Sequence, residues 1–307
     1  MHELRWDPQL KEWVIIASHR EDRPLHPTRC PFCELDFNDV LALDNAFPSL
    51  SPSPEGVKEE SKELERRRKA FGKCEIILYS PDHEGQIEKL ELGVIERIVE
   101  VWRERYGELS KEFQYIFIFE NRGRQIGVTL THPHGQIYAL PFIPPLIRRE
   151  LDSSDDYFRS NGKCLYCDVV ARELEEKERV IEENCSFVHF VPFWSHWPFE
   201  SHIIPKRHVT SIMEFDRQEI EDLALLLKSS LSRYYDLFSD DLSYIMALHQ
   251  RPSFGEFQHY HFHIEYYVMN RENQKFKFRG GVETGAGTFI NPITPEDAAR
   301  RLRRRKG

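Results

Sequence analysis

His132, His134 and Gln136 alternate along the run His132-Pro133-His134-Gly135-Gln136, and alternate side chains of an extended segment share one face. Two imidazoles and an amide on one face suit phosphate chemistry. An imidazole can attack phosphorus, whereas a neutral amide can hold a phosphoryl oxygen but cannot shuttle a proton at neutral pH. Gly127 and Thr129 lie just before the run, Pro141 and Pro144 just after it, and a second histidine cluster sits at His259, His261 and His263.

Four of the six cysteines form two Cys-x-x-Cys pairs, Cys30/Cys33 and Cys164/Cys167. The N-terminus lacks the apolar core of a signal peptide, and in a reducing compartment this spacing favours metal over disulfide. A tetrahedral zinc needs two further nitrogen or sulfur ligands. An internal repeat supplies them: His83 follows Cys33 by 50 residues and His132 follows His83 by 49, while His208 follows Cys167 by 41 and His259 follows His208 by 51. The expected zinc sets are therefore Cys30, Cys33, His83 and His132 in the first half, and Cys164, Cys167, His208 and His259 in the second. His132 would then turn toward metal and leave His134 to react. Cys74 and Cys185 stand in apolar surroundings and are expected to be buried thiols.

The elements that must hold these residues recur in both halves. Strand-like runs cover Glu75–Tyr79, Tyr115–Glu120 and Gln136–Leu140, then Phe187–Val191, His202–Pro205, Tyr244–Leu248 and Tyr260–Val268. Each half also carries one amphipathic helix, Leu92–Lys111 and Asp216–Phe238. The expected fold is α+β, two fused units of mostly antiparallel sheet with flanking helices, divided at 1–152 and 153–307 with Asp152–Gly162 as connector. Ser51–Lys69 reads as a mobile polar excursion without chemistry, and Pro295–Lys306 as a C-terminal helix ending in a basic cap. A net charge of -9 argues against a nucleic-acid partner, and no run is long and apolar enough to span a membrane, so the expected location is the cytoplasm.

Further stretches match in the same order: His19-Arg20-Glu21-Asp22-Arg23-Pro24, Asp44-Asn45-Ala46-Phe47-Pro48, Tyr79-Ser80-Pro81-Asp82-His83, Phe119-Glu120-Asn121-Arg122-Gly123 and Pro205-Lys206-Arg207-His208. With the His132–Gln136 run, they resemble the galactose-1-phosphate uridylyltransferase family over nearly the whole chain. That family belongs to the histidine-triad superfamily and fuses two copies of one domain. The resemblance implies that His134 attacks the α-phosphorus of UDP-glucose, releases glucose 1-phosphate, and passes the uridylyl group to galactose 1-phosphate with ping-pong kinetics. Gln136 stands where the superfamily's hydrolases carry histidine, which favours transfer over hydrolysis. By the same resemblance Arg20, Arg23, Asn45, Asn121, Gly127, Thr129 and Gln136 contact the nucleotide or its phosphates. Family enzymes are homodimers with shared sites, and Lys277 and Glu283 match the segment that one subunit lends to the other. A further metal, iron or zinc, would sit on Glu150, His249, His261 and His263.

The chain departs from the best-known bacterial pattern in two places. The Cys164/Cys167 pair and the tail Gly285–Pro292 look more like the ADP-glucose phosphorylase branch, and Val282 and Phe289 stand where uridylyltransferases place an aromatic and a glutamine. The alternatives are an ADP-glucose or dinucleoside-polyphosphate phosphorylase using the same histidine with orthophosphate as acceptor, and, in another class, a non-catalytic nucleotide-binding zinc protein.

Overall fold

The computed structural model describes residues 2–23 and 29–304. Pro24 of the first matching stretch and Lys306 of the basic cap lie outside the described residues. Nine strands form one sheet in the spatial order Leu41–Asp44, Lys73–Leu78, His134–Leu140, Tyr115–Arg122, Tyr244–His249, His263–Val268, Ser201–Pro205, Phe187–Phe190 and Val180–Glu183. Every pairing within it is antiparallel. The first four strands come from the first half of the chain and the last five from the second. The halves meet where Tyr115–Arg122 pairs with Tyr244–His249. Reading outward from that seam, the His134–Leu140 strand of one half corresponds to the His263–Val268 strand of the other, so His134 and His263 open equivalent strands.

Period-two alternation divides each central strand between two faces. Ile116, Ile118, Ile137 and Ala139 point into the main core with Ile95, Ile98, Val99 and Trp102 of the Leu92–Leu109 helix and Leu223, Leu227 and Leu231 of the Arg217–Phe238 helix. The opposite face of the first half carries His134, Gln136 and Tyr138, with Phe119 paired to Gln136 and Phe117 to Tyr138. The two long helices thus bury one face and leave the reactive residues on the other. The second helix begins with a capping box, Asp216 accepting from Glu219 N and Glu219 returning to the Asp216 backbone.

Three helices were not anticipated, the short Gly281–Ala286 among them. Pro145–Asn161 starts with proline in its first turn and stops at left-handed Gly162, and Leu165–Glu176 follows directly. The segment expected to be a connector is therefore mostly helical, and Ile147 and Leu151 pack on Tyr115, Leu140 and Tyr260. Ser51–Lys69 is also partly ordered. Glu60–Ser61 and Arg66–Lys69 join Glu3–Asp7 and Glu12–Ile16 in a separate four-stranded sheet, where Arg68 stacks on Trp13 at 4.9 Å. Cys74 is buried as expected, but Cys185 is exposed, because it lies in the turn between two strands rather than within one. The C-terminal helix runs Pro295–Arg303. Among the described residues, no helix is long and apolar enough to cross a membrane.

Candidate active site and metal centres

The strand beginning at His134 presents that ring, Gln136 and Tyr138 on one face, at the end next to the loop before it. His134 Nδ1–H donates to the His132 carbonyl at 2.8 Å, leaving Nε2 as the nitrogen with a free lone pair. Burial lowers the His134 pKa from its ordinary value. The Phe32 ring lies 5.5 Å from His134 and 5.8 Å from His132, edge-on to both.

Two cavities share His134, Asn121, Val128 and Leu130. The smaller, about 120 Å³, is walled by Arg20, Arg23, Thr129, Gln136 and Tyr138. Arg23 donates to Thr129 Oγ1 at 2.8 Å. Arg20 Nη1 is held by the Phe47 carbonyl, Ser49 Oγ and Tyr138 Oη at 3.1, 2.6 and 3.2 Å. Gly127 adopts φ +77°, a left-handed turn that favours glycine and brings the loop back over the strand. Fixed cations and donors around one imidazole are what a migrating phosphoryl group requires. The larger cavity, about 420 Å³, runs from His134 toward Asp241 and Ser243.

Not every anticipated residue reaches these cavities. Asn45 accepts from Phe47 N at 2.9 Å and lines neither one. Lys277 and Glu283 are buried against each other at 2.5 Å and also line neither.

Cys30, Cys33, His83 and His132 bring their ligand atoms together, all within 4.8 Å of one another. Cys33 Sγ lies 3.3 Å from His83 Nδ1 and 3.6 Å from His132 Nδ1. A tetrahedral zinc with ordinary bond lengths sets sulfur and nitrogen about 3.5 Å apart, so this donor set fits zinc. The outer nitrogens are also satisfied: His132 Nε2–H donates to Ser80 O at 2.8 Å, and His83 Nε2 meets Thr131 Oγ1 at 2.9 Å. Such outer contacts orient metal-binding imidazoles.

The second cluster is Cys164, Cys167, His208 and His261, so His259 is not its fourth member. Cys164 Sγ and Cys167 Sγ lie 3.5 and 3.6 Å from His261 Nδ1, and Cys167 Sγ is 3.5 Å from His208 Nδ1. His259 instead faces Asp155 at 3.9 Å. The reason is register. His261 precedes its strand by two residues, as His132 does, and its Nε2–H donates to Pro205 O as His132 donates to Ser80 O.

This reassignment removes His261 from the third group, which comprises Glu150, His249, His263 and Glu265. The Pro145–Asn161 helix carries Glu150 to within 3.1 Å of His249 Nδ1. Glu265, two residues beyond His263 on the same strand face, sits 3.3 Å from His263 Nε2. Burial lowers His249, but the Glu150 and Glu265 carboxylates more than offset it and push it up to about 9. Two imidazoles and two carboxylates are a donor set open to iron or zinc.

Family models for the N-terminal and C-terminal domains of galactose-1-phosphate uridyl transferase match residues 33–144 and 150–306. The chain belongs to the galactose-1-phosphate uridyl transferase family. A curated relative from Thermotoga maritima, named galactose-1-phosphate uridylyltransferase, is 39% identical over 99% of this chain and 98% of its own. A solved uridylyltransferase structure superposes with a TM-score of 0.91 at 36% identity, covering 98% of this chain and 97% of the other. An Arabidopsis thaliana ADP-glucose phosphorylase with bound ADP-glucose gives 0.75 at 29% identity, covering 99% of both chains. The relatives named uridylyltransferases are enzymes of the transferase class, and membership places this chain among them.

In this member of the family, sequence reasoning missed three site residues. Phe32 bridges the first cluster and His134, and its place inside the Cys-x-x-Cys knuckle was the available signal. Glu265 was marked by its i, i+2 relation to His263. Tyr138 extends the His134/Gln136 alternation by one more step.

Proposed function

We propose that the protein transfers UMP from UDP-glucose to galactose 1-phosphate through a uridylyl-His134 intermediate. The observation that carries this reading is the His134 ring itself: Nδ1 is committed to the His132 carbonyl, and Nε2 makes no hydrogen bond to a described residue beside a pocket walled by Arg20, Arg23 and Gln136. In the first step Nε2 bonds to the α-phosphorus of UDP-glucose, the bond from that phosphorus to the bridging oxygen breaks, and glucose 1-phosphate leaves with the electron pair. In the second a phosphate oxygen of galactose 1-phosphate bonds to phosphorus and the P–N bond breaks, returning the lone pair to Nε2. Nδ1–H stays on the carbonyl throughout. Arg20, Arg23 and Thr129 offset charge on the phosphoryl oxygens, and Gln136 holds one of them without delivering a proton to water.

The two cysteine–histidine clusters would hold zinc, which braces the loops carrying His83, His132, His208 and His261. The first cluster fixes the carbonyl that orients His134. We further propose a cytoplasmic homodimer in which Lys277 and Glu283 of one subunit complete the hexose site of its partner. The exposed apolar side chains Phe278, Val282 and Ile290 flank that segment and support this arrangement.

Incubation with uracil-labelled UDP-glucose should give a protein adduct that disappears in His134→Gly. Absence of an adduct from the parent enzyme would refute the reading. A second reading, ADP-glucose phosphorolysis, is favoured by the Cys164/Cys167 cluster and by the 29% identity to the Arabidopsis thaliana enzyme. A matrix of nucleotide-sugar donors against hexose 1-phosphates and orthophosphate separates the two, since the phosphorylase would label only from ADP-glucose and discharge to orthophosphate.

A further inference from the structure

We propose that Asp241 selects the hexose 1-phosphate acceptor, an inference that rests on the uridylyl-transfer reading above. The two cavities meet only along Asn121, Val128, Leu130 and His134, so a substrate crossing from one to the other passes the reacting nitrogen. The small cavity, with two arginines and about 120 Å³, accommodates phosphate rather than sugar. The larger, about 420 Å³, has room for a hexose and is lined by carboxylates, the groups that bind sugar hydroxyls as paired acceptors.

Of those carboxylates, Asp241 alone is both unpaired and part-buried among the described residues. Glu120 is buried and bonded to the Tyr244 hydroxyl. Asp240 accepts from Tyr235 Oη at 3.1 Å. Glu84 is unpaired but exposed, so binding there displaces water without desolvating a buried acceptor. The Asp241 carboxylate has no hydrogen bond or ion pair, yet its backbone is firmly mounted: its carbonyl accepts from Asn270 Nδ2 at 3.0 Å, and Asn270 Oδ1 in turn accepts from Ser243 N at 2.8 Å. Asn270 is fully buried. A preorganised, unpaired acceptor on the sugar side of the nucleophile discriminates hydroxyl geometry, because a misplaced hydroxyl leaves it desolvated without a partner.

Asp241→Asn keeps the shape and removes the charge. The uridylyl-enzyme is isolated and discharged in single turnovers with galactose 1-phosphate and, separately, glucose 1-phosphate, which differ only at the C4 hydroxyl. The expected result is about a tenfold weaker apparent affinity for the preferred acceptor and a narrowed ratio between the two sugars. An unchanged melting temperature would confirm an intact fold. Parallel discharge curves for variant and parent would overturn the role of Asp241 while leaving the transfer reading intact. If the parent formed no uridylyl-enzyme at all, the transfer reading would fall, and this inference with it.

Discussion

Gly135 separates His134 from Gln136, and a methyl group there would strike a wall. A Cβ built on Gly135 lies 2.5 Å from Tyr79 Oη and 3.2 Å from Tyr79 Cζ. Tyr79 is 1% exposed and packs edge-on against Trp102 at 6.5 Å, so its ring has nowhere to swing. Adding a methyl group to a close-packed core costs roughly 1–3 kcal/mol, and Gly135→Ala should lose about that much in a urea titration. Because the strand must shift to relieve the contact, His134 and Gln136 move with it, and a displacement on the order of 1 Å at reacting groups costs up to about 100-fold in rate. The clash is with the hydroxyl, which faces the buried Glu120 carboxylate at the margin of hydrogen-bond geometry, so Tyr79→Phe alone should cost no more than about 1 kcal/mol. The double variant should recover most of both losses, giving a coupling of about 1–3 kcal/mol in the stability cycle. Strict additivity, or a Gly135→Ala protein as stable and active as its parent, would show that the contact does not shape the site.

Three other outcomes follow from the geometry. Burial pushes Glu120 up to about 7, against the hydrogen bond it accepts from Tyr244. The folded protein therefore holds a proton that the unfolded chain releases above its ordinary 4.5, and stability is lost as pH rises from about 4.5 to about 7. Glu120→Gln should remove that dependence, gaining on the order of 3 kcal/mol relative to the parent between pH 5 and pH 8, and equal pH slopes for the two proteins would contradict the assignment. Replacing His261 by Ala should cost about one zinc per chain in elemental analysis of protein purified without added metal, whereas His259→Ala should cost none, and the reverse pattern would restore His259 as the ligand. Finally, His134→Gly should abolish transfer by at least about 10⁴-fold with an unchanged circular-dichroism melt, and residual turnover near the parent level would remove His134 from the chemistry.

Residue type and spacing alone determined a good deal of this protein. The apolar period of Ile95, Ile98, Val99 and Trp102 marks a helix wherever it is placed, because one stripe of that helix must leave water. The alternation of His134, Gln136 and Tyr138 marks a strand with one polar face. The first cluster was legible because the internal repeat pairs Cys30 and Cys33 with His83 and His132, and the chemistry claimed the neighbouring His134. His259, His261 and His263 are different. At a spacing of two they look equivalent, and only the start of the strand at His263 decides that His261 turns back to the Cys164/Cys167 pair while His263 faces inward. Glu150 was chosen by resemblance among many acids, and what brings it to His249 is a helix whose proline start and glycine stop were present but unread. The charged run Arg66–Lys69 shows no alternation of its own, and it becomes a strand because Leu4, Trp13 and Phe71 offer it a surface. Local sequence carries the period of an element, but register and partner choice arise from long-range pairing. That pairing is where the tertiary structure settled which imidazoles meet sulfur and which one keeps an unpaired nitrogen beside the arginine-walled pocket.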